Sequence, residues 1–373
     1  MTEREAYILL NMMEGIGPVR VRSLIESLGS VTDILTADFD ALRRGKAVGP
    51  ELARSIITQR ERLDPEAEIR TAEANGARVI TPLDETYPEP LRTIYDPPLA
   101  LYVWGTLDSR DKHGIALIGS RRTTHYGRQM ADRLAYQLAR TGFTVVSGLA
   151  RGIDTAAHEG ALKGGGRTLS VLGGALDKLY PAENKVLAER IAEQGAVLSE
   201  FPFGREPDRT TFPMRNRIVS GLSMGVVVVE AGFKSGALHT TDAALEQGRT
   251  VFAVPGRVDS PSARGAHQLI KNGAKLVEDV DDILQEFEFL VPPEKRKAQP
   301  HLEARPEVQL SEEEQSIVKA LWQGEQDVDT LARATELNSA RVSSLLIGLE
   351  MKRVIRMLPG RLVELSEGWR DRV

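Results

Sequence analysis

Cysteine is absent from the 373 residues of this chain, histidine occurs only six times, aromatics make up 5%, and the 48 Lys and Arg fall short of the 53 Asp and Glu. Without Cys there is no disulfide, no zinc-finger or iron–sulfur ligation and no thiol nucleophile. Six His leave little material for a multi-histidine metal site, so neither metal nor cofactor is expected. No apolar run approaches the ~20 residues of a membrane span, and Met1–Tyr7 is charged rather than signal-like. A soluble, cytoplasmic protein without a membrane span is the expectation. The net charge of −5 excludes a protein that coats nucleic acid by bulk attraction, although net charge averages over a surface and a groove does not.

What is present is a chain long enough for two or three domains at about 100–200 residues each, with 41% hydrophobic residues to fill their cores. The stretch Val291–Pro306 holds four prolines among charged residues and reads as a linker. A softer boundary lies in the proline-rich stretch Pro82–Pro98. The segments are therefore 1–81, 82–290 and 307–373, joined by a linker at 291–306.

The first segment is helical, with apolar stripes at Leu9, Leu10 and Met13 and again at Val21, Leu24, Ile25 and Leu28. Gly17-Pro18 is repeated at Gly49-Pro50 with similar residues after each, which reads as a duplicated helix–turn–helix unit: Gly permits the turn and Pro suits the first helical position. Such hairpins resemble helix-hairpin-helix modules that offer turn amides to a DNA phosphate; a plain connection of packed helices fits the residues equally well. In the last segment, Ser311-Glu312-Glu313-Glu314 is a capping box, followed by helices near Thr330–Ala334 and Ala340–Lys352 and a hairpin Val354–Leu358/Leu362–Leu365 turning at Pro359-Gly360. Three helices and then a hairpin is the order of a winged helix. Its third helix shows Arg341 and Ser344 but few outward cations, which favours a protein contact over a duplex reader.

The middle segment alternates apolar β-runs with helical stretches, the pattern of a parallel sheet covered by helices. The strands read are Ile115–Ile118, Thr144–Val146, Thr168–Leu172, Ala196–Leu198, Val226–Val229 and Val251–Val254, with a helix at Arg128–Arg140 stopped by Gly142. Each strand ends in small or polar residues: Gly119-Ser120-Arg121-Arg122, Ser147-Gly148-Leu149-Ala150-Arg151-Gly152, Gly173-Gly174, Ser199-Glu200, Glu230-Ala231-Gly232 and Pro255-Gly256. In an open parallel sheet these carboxyl ends share one rim, where such folds bind ligands. Cations collect there: Arg121, Arg122, Arg151, Lys178, Arg215, Arg217 and Lys234, with Asn216 between two of them. Phe201, Phe203, Phe212 and Phe233 are stacking candidates for unpaired bases, at least two of them better read as core.

Catalytic patterns are missing. No G-x-G-x-x-G or phosphate-loop motif occurs, Ser120 and Ser147 sit in G-S and S-G turns with no G-x-S-x-G elbow around them, and His125, His158, His239 and His267 lack partner spacing. Asp154 reads as the cap of a helix Thr155–Ala161, and Glu230 is the best acid/base candidate, without a second carboxylate.

Taken together, Gly119-Ser120-Arg121, Ser147-Gly148-Leu149-Ala150-Arg151-Gly152-Ile153-Asp154, Tyr180-Pro181-Ala182-Glu183-Asn184, Phe212-Pro213-Met214-Arg215-Asn216-Arg217 and Val251-Phe252-Ala253-Val254-Pro255-Gly256 resemble the DprA/Smf family of bacterial DNA-processing proteins, over most of Pro88–Val277. The resemblance implies an α/β fold: a Rossmann-like parallel sheet core with an N-terminal helical (helix-hairpin-helix/SAM-like) domain and a C-terminal winged-helix domain. It also implies a protein, not an enzyme, that binds single-stranded DNA during natural transformation, protects it, and loads RecA recombinase on strands coated by single-strand-binding protein, as a homodimer. Carried over to this chain, the DNA-binding loop falls on Gly119, Ser120 and Arg121, a second basic element on Lys178, Asn184 and Lys185, and a third on Arg215, Asn216 and Arg217. Two departures stand out. Ala182 occupies a place where many members carry Lys, so Lys178 or Lys185 supplies that charge; His239 and His267 stand where an aliphatic residue and often Asn are expected. The competing reading is a nucleoside monophosphate phosphoribohydrolase-like enzyme. Its Pro-Gly-Gly-x-Gly-Thr-x-x-Glu segment is matched poorly by Glu230-Ala231-Gly232-Phe233-Lys234-Ser235-Gly236-Ala237.

Overall fold

The computed structural model describes residues 1–46, 48–287, 310–352, 354–358, 362–366 and 369; the expected linker at 291–306 and the turn at Pro359-Gly360 lie outside them. Residues 1–298 form one compact unit and 299–373 a second.

The first unit opens with helices α1 (Glu3–Met12), α2 (Pro18–Leu28), α3 (Val31–Thr36), α4 (Phe39–Leu42), α5 (Pro50–Arg60) and α6 (Pro65–Ala74). Gly17 and Gly49 are N-caps, each with Pro at the first helical position, as the duplicated sequence predicts. Leu9, Leu10, Val21, Leu24, Ile34, Ala53 and Ile56 close a common core.

The sheet starts earlier than expected. Strand β1 (Ala77–Ile80), which the apolar spacing leaves inside the helical segment, pairs antiparallel with β2 (Leu101–Gly105). The prolines at 82–98 therefore lie in the connection between two paired strands, which also holds α7 (Glu89–Arg92). The hairpin region is fastened to this sheet: Asn11 donates to the Glu200 carbonyl at 2.9 Å and the Phe203 amide donates to Glu68 at 2.8 Å. Ile8, Ala72, Val79 and Tyr102 pack together beneath.

Next come β3 (Gly114–Gly119), α8 (His125–Thr141), β4 (Thr144–Ser147), α9 (Ile153–Lys163), β5 (Thr168–Val171), α10 (Lys185–Gln194), β6 (Ala196–Ser199), α11 (Thr211–Gly221), β7 (Gly225–Glu230), α12 (Leu238–Glu246), β8 (Thr250–Ala253), α13 (Arg264–Lys271), β9 (Lys275–Leu276) and α14 (Val280–Glu286). Every strand read from the sequence is present. The sheet order is β1-β2-β6-β5-β4-β3-β7-β8-β9, parallel from β6 through β9 and antiparallel only at β1 and β2. Strand side chains alternate between faces: Ile115, Leu117, Val145, Val227 and Val229 meet α8 and α14, while Ala116, Ile118, Val146, Val226 and Val228 meet α7, α11 and α12. The chain runs outward from β3 to β6 and then returns to lay β7 on the other side of β3. Loops after β3 and β7 thus diverge, which opens a crevice at that switch point.

The second unit holds α15 (Glu312–Ala320), β10 (Gln326–Asp327), α16 (Val328–Thr335), α17 (Ser339–Met351), β11 (Ile355–Leu358) and β12 (Leu362–Leu365). Ser311 and Glu314 form the expected capping box. Ile317, Leu321, Leu331, Val342, Leu346 and Val363 make its core, a winged helix with a three-stranded wing sheet β10-β12-β11. No described helix is long and apolar enough to cross a membrane.

The base of the main sheet is tied by Asp111, buried just before β3, which accepts from Arg167 at 2.8 and 2.9 Å, from Thr144 at 2.9 Å and from the Asp108 amide at 2.7 Å. Removing one partner of a buried pair strands the other. Asp111→Ala should cost about 3–5 kcal/mol in urea unfolding, and the Asp111→Ala/Arg167→Ala double variant should cost less than the sum of the two singles.

Candidate nucleic-acid interface

The crevice is bounded by the loops after β3, β4 and β7 and by the start of α11, and encloses about 630 Å³. A side pocket of about 160 Å³ opens from it between Arg121, Arg122, Arg151, Tyr180 and Phe212.

The loop after β3 is pinned to β7, where the Ser120 amide donates to the Glu230 carbonyl at 2.7 Å. The Ser120 hydroxyl accepts from the Arg122 amide at 3.2 Å and donates to the Arg122 carbonyl at 2.9 Å, which closes a tight turn. This leaves the Arg121 and Arg122 side chains exposed. Arg121 lies over the Phe212 ring, 4.7 Å from its centroid, and Phe212 in turn packs on Tyr180 at 6.2 Å.

The loop after β4 is shaped from beneath. Helix α9 begins at Ile153, so Asp154 sits in its first turn rather than capping it, and the buried carboxylate accepts from the amides of Gly148 at 3.2 Å and Ala150 at 3.3 Å. Leu149 has φ +56°, an uncommon conformation for a bulky residue; its carbonyl is held by the Asn184 side chain at 2.8 Å, which also donates to Thr155 at 2.9 Å. Gly152, at φ +81°, has its Cα so close to the previous loop that a Cβ would stand 2.3 Å from the Ser120 carbonyl oxygen.

Arg215 has a structural role that the sequence does not show. It lines both cavities from beneath, but it is buried and donates to the carbonyls of Gly148, at 2.6 Å, and Val171, so it also joins the ends of β4 and β5. Burial pushes the Asp154 carboxyl up and the Arg215 guanidinium down, each countered in part by the other's charge. Arg217 is largely covered, held between Asp96, at 2.8 Å, and Glu200. Burial works against its charge, and the two carboxylates outweigh that. Asn184 is likewise buried scaffold, and Asn216 lines the crevice while accepting from Arg215 at 3.2 Å.

Of the remaining cations, Arg151 makes a two-pronged exposed pair with Glu183 at 2.6 Å and Lys178 pairs with Glu206 at 3.1 Å. Such pairs are weak enough to exchange for a phosphate. Lys185 is exposed on the first turn of α10 and, like Lys178, is not among the residues lining either cavity. Arg121 and Arg122 form no ion pair with a described carboxylate. Neither does Arg209, a crevice residue missed in the sequence; its signal was Asp208, whose carboxylate caps the Thr210 and Thr211 amides and leaves Arg209 projecting from the loop before α11. Ser235, Gly236 and His239 supply the opposite wall. His267 is engaged with the Gly256 backbone at 3.0 Å. Phe201 is buried, Phe203 packs edge-on against Tyr102 at 5.7 Å, and Phe233 is 65% exposed.

Glu230, the acid/base candidate, is a clamp: it accepts from the Thr123 hydroxyl at 2.7 Å, the Thr124 hydroxyl at 2.9 Å and the Thr124 amide at 3.0 Å at the start of α8. Burial raises its pKa, but donors from Ser262, Thr123 and Thr124 outweigh that and hold it below the ordinary 4.5. A depressed folded-state pKa contributes stability that is complete above the unfolded value and lost as pH falls through the folded one. Glu230→Gln should therefore lower stability at pH 7 by about 1–3 kcal/mol. Its gap from wild type should shrink on acidification below pH 4.5; a gap that widens in acid would contradict the clamp.

Residues 78–288 match the family model of DNA recombination-mediator protein A, residues 301–361 the DprA winged helix domain, and residues 7–62 the SAM-like helix-hairpin-helix tandem. The Smf protein of Synechocystis is 38% identical over 287 residues, covering 76% of this chain and 72% of the relative. The X-ray structure of DNA processing protein A from Streptococcus pneumoniae superposes with a TM-score of 0.67 at 34% identity, covering 77% of this chain and 98% of that one. The Helicobacter pylori protein of the same name, described for its single-stranded DNA binding mode, superposes with a TM-score of 0.52 at 30% identity, covering 58% and 97%. Fold, domain order and these matches agree: the chain belongs to the DprA/Smf family of DNA recombination-mediator proteins.

Proposed function

We propose that this protein binds single-stranded DNA in the crevice at the β3/β7 switch point, protects incoming strands during natural transformation, and passes them to RecA recombinase in place of single-strand-binding protein. The observation that carries the reading is the set of exposed cations Arg121, Arg122 and Arg209, held over the crevice without carboxylate partners among the described residues. They can neutralise consecutive phosphates, while the Phe212–Tyr180 wall offers ring surface beside them. We place this activity in the cytoplasm and assign it to a homodimer. The nucleotide-hydrolysing alternative loses its base, because the Glu230 carboxylate is engaged by hydroxyls and an amide.

Backbone neutralisation makes affinity fall with salt, by a log–log slope of about −0.7 per phosphate on a single strand. Arg121→Gln/Arg122→Gln should flatten that slope by about 1.4 in anisotropy titrations, weaken all sequences alike because phosphate contacts carry no base information, and leave the melting temperature in place. An unchanged slope, or a wild-type preference for duplex, would contradict the reading.

The outward face of α17 carries Ile347, 63% exposed, and Met351, 82% exposed, and Arg341 is paired with Glu313 at 2.6 Å. An apolar face with its cation occupied suits a protein partner better than DNA. Deleting residues 307–373 should keep single-strand affinity and impair transfer to RecA; strongly reduced single-strand binding would overturn this assignment.

A further inference from the structure

The loop between β7 and α12 breaks the usual chemistry of turns. The Ser235 amide donates to the Gly232 carbonyl at 3.0 Å, which makes Gly232–Ser235 a hydrogen-bonded turn with Phe233 and Lys234 at its two corner positions. Corners of exposed turns ordinarily hold Gly, Pro, Asn, Asp or Ser. Here one corner holds a large aromatic that is 65% exposed, and the next holds an exposed lysine that pairs with no described carboxylate. The turn is not slack: the Leu238 amide donates to the Ser235 carbonyl at 3.1 Å and the His239 amide to the Gly236 carbonyl at 3.3 Å, running the loop straight into α12. Ser235 and Gly236, directly after the two corners, line the crevice. A local rule broken on a rigid loop at a site's lip marks a functional position.

Resting on the single-strand reading above, we propose that this turn is a stacking finger: Phe233 lays its ring on an unpaired base and Lys234 meets the neighbouring phosphate. The other rim aromatics are less available for that task. Phe212 is covered by Arg121 on one side and Tyr180 on another, and Tyr180 lies under Arg151, 5.9 Å from its ring centroid. Phe233 makes no ring–ring or cation–ring contact among the described residues, and it stands beside the wall opposite Arg121. The finger thus adds a contact to bases on the side of the crevice that lacks free cations of its own apart from Lys234. Every base has a π-face, so the contact tolerates any sequence.

The test compares an oligothymidylate with an abasic strand of the same length, using the full chain. Stacking on one side chain is worth about 1–3 kcal/mol per base, which corresponds to roughly 5- to 150-fold in affinity. Phe233→Ala should lose that factor on thymidylate, lose nothing on the abasic strand, and keep the wild-type salt slope; Phe233→Tyr should restore the affinity. Lys234→Gln should instead reduce the slope by about 0.7 on both strands. Unchanged thymidylate affinity in Phe233→Ala, an equal loss on both strands, or an altered oligomeric state without altered affinity would each overturn the finger. Failure of the single-strand reading itself shows separately, as a flat salt dependence in the unaltered protein.

Discussion

The rim of this sheet depends on a charge buried under it. Parallel strands end with carbonyls and amides that no neighbour satisfies, and a loop left unsupported there would carry unpaired polar groups into the protein. Arg215 answers the carbonyls of Gly148 and Val171, and Asp154 answers the amides of Gly148 and Ala150. Gly148 lies between the two charges, so close to Arg215 that a Cβ would stand 1.9 Å from its nearest nitrogen. An isolated guanidinium or carboxylate at that depth would be costly; the opposite charge and the backbone partners offset the desolvation. With the β4 loop set in this way, Gly152 can press against the Ser120 carbonyl, and the β3 loop takes the shape that holds Arg121 and Arg122 outward.

This divides the cations into two kinds. Arg215 is buried, Arg217 and Arg167 are largely covered, and all three have fixed partners and build the frame. Arg121, Arg122, Arg209 and Lys234 are exposed without ion pairs to described carboxylates, and the weak pairs of Arg151 and Lys178 surround them. A chain of net charge −5 can therefore present a cationic crevice, because the acidic residues near it are tied to framework cations or to Arg151 and Lys178 at its margin. The same division explains Glu230: a carboxylate at a strand end need not be catalytic when hydroxyls and an amide converge on it.

Much of the fold was legible in the sequence because it follows from local pattern. The six central strands show as apolar β-branched runs, the helix α8 as a stripe ending at Gly142, and the hairpins as Gly-Pro at repeated spacing. Strand β1 is a four-residue edge strand whose apolar residues merge with the helical segment before it; β2 lies inside the sheet on the apolar run Leu99–Trp104, and the prolines at 97 and 98 make that run read as part of a boundary. The crevice was placed on the correct rim, since the ends of parallel strands are recognisable as glycine and polar residues. The roles of individual side chains were not. Arg215, Arg217 and Arg121 are the same residue type within one basic pattern, and only packing decides that the first two are covered and held by carbonyl or carboxylate partners while the third faces solvent. Asn184 holds a loop 35 residues away in sequence, and Arg209 is exposed by a cap before a helix whose start could not be read from an apolar stripe.

The most direct test of this account is a structure of the protein with a bound oligothymidylate. The account predicts phosphate oxygens within hydrogen-bond distance of Arg121, Arg122 and Arg209, with Arg215 still on the Gly148 and Val171 carbonyls and Arg217 still between Asp96 and Glu200. A strand lying outside the β3/β7 crevice, or one reached by Arg215 or Arg217 after they leave those partners, would contradict it.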